Sequence, residues 1–112
     1  MAMALLASPS WGYKQEDLDK LAATNTCQEC DLAGADLHLA YLREANLEKA
    51  NLEKANLEKA ILTKANLAGA DLRGTVLTGA VLRDAKIDFA DFTKAKFCNT
   101  VMPDGQRIFK DC

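Results

Sequence analysis

Leucine recurs at every fifth position from Leu32 to Leu82, most visibly from Ala45 to Ala60, where the sequence reads ANLEKANLEKANLEKA. An α-helix turns about 100° per residue, so a step of five places successive leucines about 140° apart and leaves no apolar face. A β-strand alternates its side chains between two faces, so an odd step places successive leucines on opposite sides. The pattern therefore predicts a backbone that itself repeats every five residues, which is typical of a solenoid.

Two series of side chains follow this period. The positions of the large apolar residues are called the centre positions, and those of the small residues are called the small positions. The centre positions are Leu32, Leu37, Leu42, Leu47, Leu52, Leu57, Leu62, Leu67, Leu72, Leu77, Leu82, Ile87, Phe92, Phe97 and Met102. The small positions, each two residues earlier, are Cys30, Ala35, Ala40, Ala45, Ala50, Ala55, Ala60, Ala65, Ala70, Thr75, Ala80, Ala85, Ala90, Ala95 and Thr100. Large and small side chains therefore alternate in one register without an insertion.

The repeated unit fits the motif A(D/N)LXX, and residues 25–102 thereby resemble the pentapeptide repeat family. The resemblance implies an all-β solenoid, a right-handed quadrilateral β-helix of about four coils with four pentapeptides in each coil. It also implies that the centre and small residues point inward. The side-chain sizes agree, because a narrow tube has room for one branched side chain per wall and a small residue near each corner.

The other positions of the unit carry turn-forming residues. Asn or Asp usually precedes the centre, where its side chain can bond nearby backbone and support a turn. Gly34, Gly69, Gly74 and Gly79 follow a centre by two residues, where a permissive backbone is useful. We therefore expect backbone turns at these positions.

Both flanks of the repeat are predicted to cover its ends, because an uncovered solenoid end exposes the core. Residues 14–24 are predicted to form a capping α-helix, in which Leu18 and Leu21 recur at helical spacing. Residues 103–112 begin with the turn signal PDG and are predicted to form a capping tail. Residues 1–13 are predicted to be a flexible segment, since MAMALLASPS is too short to span a membrane and incomplete as a signal peptide. A trimmed signal, an added sequence and a disordered end all fit this stretch.

The four cysteines, Cys27, Cys30, Cys98 and Cys112, lie at the two ends of the predicted tube. With coils stacked about 4.8 Å apart, Cys27 and Cys98 are several coils apart, beyond the roughly 7 Å that a disulfide tolerates. We therefore predict the disulfides Cys27–Cys30 and Cys98–Cys112, each tethering one cap. One alternative stays open: Cys27 and Cys30 can be reduced thiols that fill inward positions as small hydrophobic residues.

Other roles for the cysteines have less support. A thioredoxin-like CxxC motif needs a βαβ context, of which the sequence shows no sign. A zinc site normally needs four ligands, and His38 is the only histidine. Disulfides form in oxidising compartments. The terminal pair also resembles short lumenal and secreted members of the family, which implies a thylakoid lumen, a plastid lumen or a cyanobacterial periplasm.

Residues 20 apart should stack on one wall of such a tube, and one column departs from the motif. Tyr41, Ile61, Val81 and Val101 are apolar where the motif expects Asn or Asp, and an apolar stripe edged by arginines is typical of a contact site. The predicted partner-binding residues are Leu39, Tyr41, Arg43, Ile61, Val81, Arg83 and Val101. Two alternatives stay open: the stripe packs only against its own cross-strand neighbours, or the tail with Ile108 and Phe109 covers part of it.

A second column, Asp31, Asn51, Asp71 and Asp91, is acidic or neutral. The family includes proteins that mimic DNA and bind type II topoisomerases, so the column implies charge mimicry as the alternative function. Against it, the motif itself places Asn or Asp there. The net charge of −2, with both signs interspersed, leaves no basic track for binding nucleic acid.

Catalysis finds no support in the sequence. It has no Ser, His and Asp set, no glycine-rich phosphate loop and no feature that predicts a concave pocket. We therefore predict no enzyme activity, no cofactor, no metal and no membrane contact. The predicted function is a rigid scaffold or protein-binding module, monomeric or weakly self-associating, with an unknown protein partner.

Overall fold

The computed structural model describes residues 12–112. It has one α-helix, α1, over Gln15–Thr24, and two short strands, β1 over Thr100–Val101 and β2 over Arg107–Ile108. The predicted flexible segment 1–13 lies outside the described residues except for Gly12 and Tyr13.

Parallel β-bridges between residues 20 apart build the body of the molecule. Each bridged residue directly precedes a centre position or, for Thr26, precedes Cys27. Four columns of bridged residues result: wall 1 is Thr26, Asn46, Asn66 and Lys86; wall 2 is Asp31, Asn51, Asp71 and Asp91; wall 3 is Asp36, Asn56, Val76 and Lys96; wall 4 is Tyr41, Ile61, Val81 and Val101. Twenty residues therefore make one coil, as the repeat arithmetic predicted.

Backbone hydrogen bonds of two kinds hold each unit in place. The amide of Leu52 donates to the carbonyl of Asp71 in the next coil at 2.8 Å, and the amide of Ala55 donates back to the carbonyl of Leu52 at 2.9 Å. The second bond closes a turn within the unit. The residue two after the centre takes a left-handed backbone at this turn, with φ of 59° at Lys54 and 67° at Gly74. Gly74 also packs closely against the lysine of the preceding coil, since a Cβ added at Gly74 would lie 3.3 Å from Cγ of Lys54.

The core is a column of leucine and alanine side chains, as predicted for the centre and small positions. Most of them are buried, and the leucines from Leu47 to Leu82 have no exposed surface. Five of the predicted inward residues are only half-buried: Ala40 in the first coil, and Ile87, Ala90, Phe92 and Met102 in the last. They lie near the two ends of the tube, where a residue has a neighbouring coil on one side only.

Two small positions carry threonine instead of alanine, and both hydroxyls find a partner inside the tube. Thr75 is fully buried, and its Oγ1 donates to the carbonyl of Leu52 at 2.8 Å. Thr100, 25 residues later and on the next wall, repeats this contact, and its Oγ1 donates to the carbonyl of Leu77 at 2.7 Å. A polar group is tolerated in this core because it is hydrogen-bonded.

Replacing Thr75 by valine should lower the free energy of unfolding by about 1 kcal/mol, the net value of one hydrogen bond. The loss stays modest because the carbonyl of Leu52 keeps its bond from the amide of Ala55. Urea unfolding followed by circular dichroism measures it. Val76→Thr, on the outer surface next to it, is the matched control and should change stability by less than about 0.5 kcal/mol. A gain in stability from Thr75→Val would contradict the role given to the hydroxyl.

Helix α1 lies over the first coil and joins it through side chains of both polarities. Leu21 is buried in the core, and Leu18 is half-buried against it, in agreement with their predicted spacing. The carboxylate of Asp17 accepts the amide of Asp31 at 2.8 Å. The helix ends at Thr24 and is capped by Asn25, which has a left-handed backbone and whose amide donates to the carbonyl of Leu21.

The C-terminal tail folds back over the last coil. Strand β2 pairs antiparallel with β1, and the carboxylate of Asp111 accepts the amide of Phe97 at 2.9 Å. Both predicted disulfides are present, Cys27–Cys30 and Cys98–Cys112, with Cα atoms 5.3 and 5.0 Å apart. Each disulfide thus lies at one end of the tube.

Candidate functional site

Wall 4 carries the column of apolar residues that precede a centre, and its exposure changes along the tube. Tyr41 is 73% exposed, and Ile61 and Val81 are half-buried. Val101 is only 3% exposed, so the prediction that it forms part of an exposed stripe is corrected. Val101 lies in β1, which pairs with the tail strand, and this end of the column is therefore closed. The name stripe is used below for Tyr41, Ile61 and Val81.

The apolar side chains of the stripe cannot make a hydrogen bond that Asn and Asp side chains make on the other walls, to the backbone amide two residues later. On wall 2, Oδ1 of Asn51 accepts the amide of Glu53 at 3.0 Å, and Oδ1 of Asp71 accepts the amide of Arg73 at 3.1 Å. Asn46, Asn56 and Asn66 make the same contact on walls 1 and 3. This confirms the turn-supporting role predicted for Asn and Asp. Apolar residues at the stripe positions cannot accept such a bond, so the turn geometry alone does not explain them.

The predicted flanks of the stripe are also on the surface. Leu39 is 64% exposed and has a left-handed backbone with φ of 61°, an unusual combination for a branched apolar residue. Arg43 and Arg83 are exposed on the other flank. The structure therefore places six of the seven predicted partner-binding residues at least partly on the surface.

At the N-terminal end, the stripe opens into a groove between α1 and the first coil. Its floor consists of Leu37, Ala40, Tyr41 and Leu42, and one face of α1, with Leu18 and Ala22, forms the other side. The cavity volume is about 340 Å³, and the polar side chains at its rim are Gln15, Asp19 and Asn25. Sequence reasoning did not find this groove, because it depends on how α1 lies across the coil.

Wall 2, the predicted acidic ladder, is partly neutralised by an arginine. Nε and Nη2 of Arg73 donate to the two carboxylate oxygens of Asp71 at 2.8 and 2.7 Å, and Glu53 lies 3.5 Å from Nη2. The hydrogen bond from Arg73 holds the pKa of Asp71 below its usual range. A hydrogen bond from Thr93 lowers the pKa of Asp91 in the same way. The carboxylates of wall 2 are thus charged at neutral pH, but the guanidinium of Arg73 lies among them and offsets part of their charge.

The Asp71 pair makes a testable contribution to pH-dependent stability. A carboxyl group whose pKa is lower when folded stabilises the protein above its unfolded pKa of about 4, and this contribution is lost as the pH falls through the folded pKa. Arg73→Gln should therefore lower the free energy of unfolding slightly at pH 7, because it removes an exposed ion pair. The difference from wild type should vanish near pH 2. Urea unfolding at both pH values measures it, with Arg83→Gln as the control, and an equal difference at both would refute the assignment.

One exposed aromatic residue was missed by sequence reasoning. Phe89 is 97% exposed and has φ of 61°, in a turn position that Glu29, Lys49 and Gly69 fill on the other coils. The signal was present in the sequence, since Phe89 stands two residues after the centre Ile87. It lies in the wall 1 unit, away from the stripe.

Neither of two kinds of site, a cluster of metal ligands or a membrane-spanning helix, is found in residues 12–112. No group of three or more His, Cys, Asp and Glu residues in this range is arranged to hold a metal ion. The one described helix is not long and apolar enough to cross a membrane. Nδ1 of His38 lies 2.7 Å from Oδ1 of Asp36, and this hydrogen bond lowers the pKa of Asp36.

Comparison with known proteins gives a repeat-family match over most of the tube. A family model described as pentapeptide repeats matches in 8 copies over residues 26–58 and 60–99. No curated protein is similar enough to this chain to match it.

Several crystal structures are similar to this chain. HetL, involved in heterocyst differentiation regulation in the cyanobacterium Nostoc sp. strain PCC 7120, is 32% identical; the match covers 74% of this chain and 43% of HetL, with a TM-score of 0.46. A second pentapeptide repeat protein of Nostoc PCC 7120 is 28% identical over 75% of this chain and 74% of that protein, with a TM-score of 0.45. One from the thylakoid lumen of Arabidopsis thaliana is 24% identical over 70% of this chain and 66% of that protein, with a TM-score of 0.31. This chain spans less than half the length of HetL.

Proposed function

This chain belongs to the pentapeptide repeat family, and from that premise we propose that it is a non-enzymatic, rigid binding module that docks a protein partner through the stripe. Members of the family form right-handed quadrilateral β-helices, and we assign that handedness to this tube. The observation that carries the proposal is the exposed apolar column on wall 4, with Tyr41 73% exposed. Exposed aromatic and arginine side chains are enriched at protein interfaces.

The shape of the stripe supports docking by a flat partner surface. It runs along one straight wall, and Arg43 and Arg83 beside it can pair with carboxylates of a partner. The tube under it is a fully packed column of leucine, which holds the side chains of the wall in a constant spacing. A rigid surface loses little conformational entropy on binding.

The test is capture of a partner from a lumenal or periplasmic extract by wild type and by the triple variant Tyr41→Asn, Ile61→Asn, Val81→Asn. Each asparagine restores the motif and can make the side-chain bond seen at Asn51. The fold should therefore survive, which circular dichroism checks. We expect a partner that wild type binds and the triple variant loses.

A matched control changes the equivalent positions on other walls. The variant Val76→Asn, Lys86→Asn, Lys96→Asn carries the same number of asparagines at bridged positions of walls 1 and 3. It should retain the partner. Equal capture by all three proteins would reject the stripe and favour a structural role or charge mimicry by wall 2.

The proposed compartment is oxidising. Both disulfides tether an end of the tube, and cytosolic thiol systems would keep such cysteines reduced. A thylakoid lumen or a periplasm fits this requirement. Thiol counting on the denatured, unreduced protein should find no free thiol, and four free thiols would refute the assignment.

A further inference from the structure

Within residues 12–112, the N-terminal edge of the tube is covered on two walls and bare on the other two. On wall 1, the hydroxyl of Thr24 accepts the amide of Thr26 at 3.2 Å. On wall 2, Asp17 accepts the amide of Asp31, whose carbonyl accepts the amide of Lys14 at 3.0 Å. Helix α1 and its flanks thus supply the hydrogen bonds that a preceding coil would have made.

On walls 3 and 4 the described residues make no such bonds. The amides and carbonyls of Asp36 and Tyr41 have no hydrogen-bond partner within residues 12–112. Both residues are exposed. Their counterparts one coil later are paired, because the amide of Ile61 donates to the carbonyl of Ala40 at 2.9 Å and its carbonyl accepts the amide of Leu42 at 2.8 Å. A bare row of backbone groups is a template on which another extended chain can pair.

The bare edge borders the apolar groove described above, since Tyr41 belongs to both. A strand added to this edge would place alternate side chains toward the groove and toward solvent. The groove is floored by Leu37, Ala40 and Leu42, so it fits aliphatic side chains.

The negative charge at this end of the tube indicates which side chains the partner carries besides the aliphatic ones. Residues 12–45 contain seven carboxylates and three basic side chains, a net charge of −4 with His38 neutral, whereas the whole chain carries −2. Asp19 lies at the rim of the groove, and Asp36 lies on the bare edge itself. We propose that walls 3 and 4 of the first coil bind, by strand addition, an extended segment of a partner protein with alternating aliphatic and basic side chains. This inference does not rest on docking at the stripe.

The test uses a synthetic peptide, acetyl-Lys-Val-Lys-Val-Lys-Val-Lys-amide, titrated into the full chain and followed by NMR. We expect the amide protons of Asp36 and Tyr41 to shift and to gain protection from exchange. The peptide with Glu in place of Lys should bind at least about 10-fold more weakly, because its charge has the sign of the site. Unchanged amides at both residues, or equal affinity for the Glu peptide, would overturn the proposal.

Two variants separate backbone pairing from simple adhesion. Tyr41→Pro removes an amide that has no partner in the described fold, so stability should hold while affinity falls about 5-fold, the value of one hydrogen bond. Tyr41→Phe keeps the amide and should bind as wild type. Equal binding by the proline variant, with its fold verified by circular dichroism, would overturn strand addition. A proline variant that loses its fold is replaced by Leu18→Lys, which puts a positive charge in the groove and should abolish binding; full affinity there also overturns it.

Other occupants of the groove give different results. Tighter peptide binding by the full chain carrying Leu5→Lys and Leu6→Lys would mean that residues 1–11 compete for the groove, and this would overturn the partner assignment. The double variant Ile61→Asn, Val81→Asn alters the stripe alone and should bind the peptide as wild type. Loss of binding there would move the site to the stripe, so the failure of this inference and the failure of stripe docking are distinguishable.

Discussion

Leu57→Ala should lower the free energy of unfolding by about 2–5 kcal/mol, the largest effect expected of any single substitution considered for this chain. Leu57 has no exposed surface and lies in the middle of the leucine column. Truncation removes buried apolar surface and leaves a cavity, because the coils above and below are hydrogen-bonded to its own and cannot move inward freely. Urea unfolding of variant and wild type measures the difference.

The control for Leu57→Ala is the same substitution at Leu39. Leu39 is 64% exposed, so its truncation should change stability by less than about 0.5 kcal/mol. Both leucines belong to a pentapeptide of wall 3, and each variant replaces one leucine by one alanine. Similar losses at the two positions would be inconsistent with a core made of centre positions.

Removing the terminal disulfide should produce the second large effect. The double variant Cys98→Ser, Cys112→Ser opens a loop closed over a sequence separation of 14, which in the chain-entropy model costs about 3 kcal/mol. The tail should come free first, because β2 is only two residues long. Hydrogen exchange at the amide of Asp111, which bonds the carbonyl of Phe97, measures the release, and urea unfolding measures the stability.

The other disulfide provides an internal comparison. Cys27–Cys30 spans a separation of only 3, so the double variant Cys27→Ala, Cys30→Ala should cost less in loop entropy, about 2 kcal/mol in the same model. It should leave exchange at Asp111 unchanged, because it lies at the opposite end of the tube. Faster exchange at Asp111 in both variants would show that the ends are coupled through the whole repeat.

The two halves of the candidate site differ in how far they could be predicted. The stripe follows from counting, because Tyr41, Ile61 and Val81 are 20 apart and all stand where Asn or Asp is expected. The position at which the exposed stripe ends could not be predicted in this way, since Val101 belongs to the same series yet is 3% exposed. Whether a tail lies against a wall depends on the path of the chain after the repeat, and periodicity carries no information about that path.

The groove and the bare edge show the same limit at the other end. The spacing of Leu18 and Leu21 predicts a helix that packs on the first coil, and the structure has it. The spacing does not say that this helix supplies hydrogen bonds to Asp31 and leaves Asp36 and Tyr41 without them. That outcome depends on the direction of a single helix across four walls, which local sequence does not encode.

The repeat, the 20-residue coil and the inward side chains could all be predicted from the amino-acid sequence, because each of these follows from a period that every unit obeys. A uniform period makes every unit's environment the same, so one unit predicts all the others. The arrangement at the two ends of the repeat, where the period stops, became known from the three-dimensional structure. At the ends, α1 and the tail each meet walls that have no next coil, and the position of a few residues selects which backbone groups and apolar side chains stay open to a partner.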